Sequence, residues 1–146
     1  MEAINVEDNI LRGDIFYADL GEAIGCEQNG RRPVVIVQND IGNKHANTVI
    51  IVPLTKKIDG RTKLPTHITV KKFRNIKYDS TILAEQIRVI DKKRLTRKIG
   101  RLSENIMKKL DNALAIAIGI VEIKNNEEMS FLQKLILFFG GNKYGI

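Results

Sequence analysis

The chain is short of the residues that build covalent and metal-based sites. Among its 146 residues there is one cysteine, Cys26, two histidines, three prolines and no tryptophan. One cysteine excludes an intramolecular disulfide framework, which suits a reducing compartment. His45 and His67 lie far apart, and Cys26 has no Cys or His at ligand spacing, so no zinc-type cluster is expected. A His–His acid/base pair would exist only if folding brought the two rings together. There is no carboxylate-rich metal loop and neither glycine fingerprint for nucleotide phosphates. No apolar run approaches the roughly 20 residues that span a bilayer. The opening segment MEAINVEDNI is acidic where a signal peptide is basic and apolar. The expectation is a soluble, cytoplasmic protein with no metal, no other cofactor and no membrane association. Aromatic residues make up 5%, so a surface built on base stacking is poorly supported.

What the chain does have is charge, unevenly placed. Charged residues are 28% of the total and the formal net charge is +7. Residues 1–55 hold 4 basic and 8 acidic groups, whereas 56–77 hold 8 basic and 1 acidic, and 88–109 hold 9 and 2. Two separated basic blocks favour a polyanionic partner, because clustered Lys and Arg neutralise phosphates and release their counterions. With 43% hydrophobic residues the chain is also able to bury one core, and no internal repeat or linker divides it.

Strand signals fill the first hundred residues. RGDIFYADL (12–20), RPVVIVQND (32–40), NTVIIVPLT (47–55), THITV (66–70), STILAEQIRVI (80–90) and RKIGRL (97–102) each read as a strand. The third is apolar enough for both faces to be covered, and THITV alternates as a half-exposed strand does. Turn chemistry at Asn39-Asp40 and Gly42-Asn43 separates the second from the third. One helix follows, with Ser103 as N-cap, Ile106, Leu110, Ala113, Leu114, Ala117 and Ile118 at helical spacing, and Gly119 as its stop. The fold class is mainly β with α: a small, strongly bent, mostly antiparallel sheet with a late helix packed on it. Beyond Ile123, a polar stretch leads into FLQKLILFFGG, whose Phe131–Phe139 residues cover nearly all sides of a helix. This reads as a helix docked on its own domain or on a partner subunit. A membrane-surface role is second, because a basic polar face is missing.

The candidate chemistry lies in CEQNGRRPVVIVQND. Arg32 precedes Pro33, which pushes it toward extended geometry and places it at the mouth of a strand. Alternation sends Arg31 and Arg32 to opposite faces. A guanidinium there is able to fork onto a phosphate with two parallel hydrogen bonds; the alternative is a structural pair with Asp14 or Asp40.

The segments RGDIFYADL, CEQNGRRPVVIVQND, VPLT, LPTHITV, ILAEQIRVIDKKRL and LDNALAIAIGI, taken together and in this order, resemble the MazF/PemK toxins of bacterial toxin–antitoxin systems over residues 11–121. The resemblance implies an SH3-like barrel with a C-terminal helix over 11–123, an N-terminal extension (1–10), a C-terminal extension (124–146), a homodimer and a cognate antitoxin. It implies metal-independent cleavage of single-stranded RNA at a short preferred sequence. Carried over by motif, Arg32 and Thr55 are the catalytic residues, and Glu27, Gln28 and Gln86 contact substrate. Cys26 stands where a serine or histidine is common, which affects contacts from that position. Cleavage by the RNA's own 2′-hydroxyl yields a 2′,3′-cyclic phosphate and a 5′-hydroxyl. Arg32 suits stabilisation of charge on phosphorus and is too weak an acid to serve as the base near neutrality. Thr55 suits positioning, and Glu27 is the first candidate for the base. The rival from another class is a CcdB-like toxin that binds and poisons DNA gyrase without catalysis.

Overall fold

The computed structural model describes residues 10–56 and 64–122. Nearly all of the N-terminal extension, the basic stretch 57–63 and the C-terminal extension with its apolar segment lie outside the described residues. Seven strands and two helices follow in chain order: β1 (Asp14–Asp19), β2 (Arg31–Ile36), α1 (Asp40–His45), β3 (Thr48–Lys56), β4 (His67–Val70), β5 (Ser80–Leu83), β6 (Arg88–Asp91), β7 (Leu95–Arg101) and α2 (Glu104–Ala117). The sheet runs β4-β5-β3-β2-β1-β7, with β6 also paired to β3, and each pairing is antiparallel.

Strand alternation sorts the apolar side chains into two cores, one on each face. Ile15, Val35, Val52 and Leu54 point to the face covered by Leu110 and Ala113 of α2. Phe16, Ala18, Val34, Ile36, Val49 and Ile51 point to the other, where Leu20, Ile90 and Leu95 close over them. Both faces of β3 are therefore covered along most of its length, as its unbroken apolar run requires. α2 begins where expected: the Ser103 hydroxyl accepts from the Ile106 N–H at 3.3 Å. Past its end, Gly119 takes a φ of +81°, a left-handed geometry that glycine adopts without strain. At the far edge, buried Asp14 on β1 is held by Lys98 (3.1 Å) and Arg101 (2.9 Å) from β7, so its burial is paired.

Three local expectations need correction. The stretch 80–90 is two strands, β5 and β6, both antiparallel to β3 and separated by a 3-10 turn at Ala84–Gln86. From Leu54 back to Ile51 on β3, the partner advances from Ile82 to Arg88, so the turn inserts three residues that have no place in the ladder. THITV is not half-exposed: Thr66, His67, Ile68 and Val70 are all buried and only Thr69 is open. The turn residues at 39–43 open a helix, α1, with Asn39 as N-cap accepting from the Gly42 N–H at 2.9 Å.

Candidate active site

Residues 20–30 leave β1 and return to β2 as a loop pinched at its base. The Leu20 N–H donates to the Gly30 carbonyl and the Gly30 N–H to the Gly21 carbonyl, both at 2.9 Å. Gly21 and Gly30 close this pinch with φ of +72° and +68°, which a side chain would oppose. The closure delivers Arg32 as the second residue of β2. There its Nε donates to the Asn29 carbonyl at 2.7 Å and its Nη1 to Gln28 Oε1. Two of five guanidinium N–H groups are thus used to fix the fork, and the others have no partner among the described residues. Burial draws the Arg32 pKa below the usual arginine value, yet arginine starts so far above neutrality that it stays cationic near pH 7.

Neither acid offered as a structural partner reaches it. Asp14 is committed to Lys98 and Arg101, and Asp40 accepts from the Arg12 backbone N–H at 2.7 Å. The two arginines separate as alternation requires. Arg31 is exposed on the face of Val35, and Arg32 is half-buried on the face of Val34 and Ile36.

Thr55 belongs to the Arg32 face. β2 and β3 pair Val34 with Pro53, and the same register continued by two residues sets Arg32 opposite Thr55. On its other side Thr55 pairs with Thr81 of β5. Its side chain is half-buried and its hydroxyl makes no hydrogen bond among the described residues.

The inserted 3-10 turn supplies the third part. Gln86 Nε2 donates to the Cys26 carbonyl at 3.2 Å, which ties the turn to the loop. Between them lies a cavity of about 320 Å³ lined by Glu27, Gln28, Pro53, Glu85, Gln86, Ile87 and Arg88. All three residues named for substrate contact therefore meet in one cavity, and Arg32 stands at its edge through Gln28. Thr55 does not line it but lies two residues beyond its wall residue Pro53.

Glu85 and Arg88 were not singled out from sequence. Glu85 is held by the Thr66 hydroxyl at 2.8 Å and by His67 Nε2 at 2.7 Å, with His67 itself almost wholly enclosed. His67 is thereby committed to positioning the turn, while His45 sits exposed at the end of α1, so the two histidines form no acid/base pair. The adjacent polar residues Glu85 and Gln86, inside an apparent strand, were the signal that alternation breaks there.

A family model for PemK-like, MazF-like toxins of type II toxin–antitoxin systems matches residues 11–118, most of the chain. The chain belongs to this family. Among curated relatives of this MazF-like toxin is endoribonuclease EndoA of Bacillus subtilis (strain 168). It is 46% identical over 114 residues, covering 77% of this chain and 97% of the relative. Among solved structures, an endoribonuclease in complex with its cognate antitoxin from mycobacterial species superposes with a TM-score of 0.65. It is 28% identical and covers 79% of this chain and all of that one. A MazF structure from Deinococcus radiodurans also gives a TM-score of 0.65, covering 75% of this chain and 96% of its own. At 19% identity it speaks to the fold alone. The small-barrel architecture of the MazF-like toxins thus matches the bent antiparallel sheet with its C-terminal helix.

Proposed function

We propose that this MazF-like toxin is an endoribonuclease that cuts single-stranded RNA at a short preferred sequence, without a metal, and is neutralised by a cognate antitoxin. Membership of a family whose 46%-identical relative is an endoribonuclease carries this reading. The convergence of Arg32 with the cavity of Glu27, Gln28 and Gln86 supports it. The gyrase-poison alternative is not favoured, since the relatives are endoribonucleases and Arg32 and Thr55 have no required part in it.

The chemistry follows from what each group is able to do. The 2′-hydroxyl loses its proton to a base, its oxygen bonds to the adjacent phosphorus, and the bond to the 5′-oxygen breaks as that oxygen takes up a proton. Arg32, anchored by two hydrogen bonds, presents its remaining N–H groups to the phosphoryl oxygens as negative charge builds on them. In this reading it also supplies the proton to the leaving oxygen. Thr55 orients the phosphate with its hydroxyl, which makes no hydrogen bond among the described residues. Glu27, exposed on the loop and lining the cavity, is the candidate base, and Gln28 and Gln86 hold the substrate.

Residues 11–123 form the catalytic domain of this reading, with 1–10 and 124–146 as extensions. The working unit is a homodimer in the cytoplasm, where single-stranded message is available. No helix among the described residues is long and apolar enough to cross a membrane. The deciding experiment incubates purified protein with a long single-stranded RNA in EDTA. Discrete cuts with 5′-hydroxyl and 2′,3′-cyclic phosphate ends are expected. Intact RNA under these conditions, with growth arrest independent of Arg32, would overturn the reading.

A further inference from the structure

At the end of the β3–β5 ladder, next to Thr55, lies a second pocket of about 410 Å³ lined by Lys56, Lys72, Lys77, Tyr78 and Asp79. Lys56 is the last residue of β3 and pairs with Ser80, while Thr55 pairs with Thr81. Lys56 therefore turns to the opposite face from Thr55, and the pocket opens around the end of the strand.

Its chemistry is one-sided. Three ammonium groups face one carboxylate, and Asp79 is already used, accepting from the Lys72 backbone N–H at 2.8 Å. None of the three lysines forms a salt bridge to a carboxylate among the described residues. Tyr78 is 57% exposed, and the Lys56 ammonium lies 4.4 Å from its ring centroid. The Ser80 hydroxyl donates to the Tyr78 carbonyl at 2.9 Å and fixes the backbone from which the ring projects. An exposed aromatic ring set among cations with no carboxylate partner among the described residues is a combination that holds single-stranded nucleic acid: the ring stacks a base and the cations take the phosphates.

We propose that this pocket is an auxiliary RNA subsite, which stacks one base on Tyr78 and binds flanking phosphates through Lys56, Lys72 and Lys77. It lengthens the RNA that the enzyme engages beyond the cleaved step. The inference rests on the endoribonuclease reading above. An acidic protein segment would also meet the lysines, but the partly exposed ring of Tyr78 beside them adds a flat surface on which a base stacks, so RNA is the occupant the geometry favours.

The test uses full-length protein and oligoribonucleotides centred on a cut site first mapped on long RNA, extended one nucleotide at a time in each direction. For the unmodified protein, kcat/KM is expected to rise about tenfold when one extension reaches the pocket, the scale of a single base stacked on an aromatic ring. The ratio of long- to short-substrate kcat/KM is expected to collapse toward one in Tyr78→Ser and to persist in Tyr78→Phe. In Lys72→Gln/Lys77→Gln the slope of log(kcat/KM) against log salt on the long substrate should fall by about 0.7 for each lost phosphate contact. Cleavage with no gain from extension overturns the subsite and leaves the endoribonuclease intact. Equal loss of Tyr78→Ser on long and short substrates also overturns it, as does an unchanged ratio with weakened antitoxin binding. No cleavage by the unmodified protein overturns both readings.

Discussion

Replacing Arg32 by alanine separates catalysis from folding more cleanly than any other substitution here. The side chain makes two hydrogen bonds, to the Asn29 carbonyl and to Gln28, both within its own loop. Each is worth about 1 kcal/mol net. Removing them also relieves the desolvation that lowers the Arg32 pKa, so the net loss of stability should be no more than about 1–2 kcal/mol. A shift of a few degrees in Tm is the expected scale for a domain of this size. The effect on cleavage should be far larger. A preorganised donor aimed at charge that develops in the transition state contributes about 10²- to 10³-fold in rate. A fluorogenic oligoribonucleotide carrying the mapped cut site gives kcat/KM, and thermal melting gives the fold. Arg32→Ala is expected to lose at least about 10²-fold with only a small drop in Tm. Arg32→Lys should recover little, because a single ammonium cannot both hold Gln28 and Asn29 and reach the phosphate. Arg31→Ala should keep most activity, since Arg31 is exposed on the other face. Equal losses from the two arginine substitutions, or near-normal cleavage by Arg32→Ala, would refute the separation of roles.

Other outcomes follow from single contacts. Gln86→Ala should raise KM several-fold with kcat little changed, because the amide holds substrate alike in ground and transition states; a fall confined to kcat would contradict that assignment. Leu110→Ala should cost about 2–5 kcal/mol in urea unfolding, as Leu110 is fully enclosed between α2 and the sheet. The Asp40 pKa is lowered, first by the Arg12 backbone N–H; desolvation opposes this as the next-largest effect, and the Asn43 side chain and the charges of Arg101 and Arg12 lower it further. A carboxylate depressed on folding adds stability above its unfolded pKa of about 3.9, and that stability is lost as pH falls through the lower folded value. Asp40→Asn should therefore flatten the acid limb of stability below about pH 4, read by urea midpoints across that range.

Much of this architecture is written in local pattern. Short apolar runs bounded by turn residues mark β1, β2 and β3, and Ser103 and Gly119 bracket α2, because those signals depend on neighbours a few positions away. Arg32 was legible for the same reason, since the proline after it fixes its geometry. What escaped depends on long-range pairing. Whether 80–90 is one strand or two is decided by its register on β3, and the burial of His67 by Glu85, 18 residues further along the chain. The cavity is likewise built by contact between Cys26 and Gln86, 60 positions apart, which no local periodicity reports. The α1 turn was misread because Asn and Asp signal both turns and helix caps.

The three residues inserted between β5 and β6 also bear on how such toxins diversify. Strand residues answer to two masters, the ladder and the core, so a change in one disturbs the other. Gln86 answers to neither: it sits outside the ladder, and among the described residues its side chain bonds only a loop carbonyl. If Gln86 holds substrate as proposed, substitution at this position changes that contact with little disturbance of the ladder. Glu85, clamped by Thr66 and His67, keeps the turn in place while its neighbour varies.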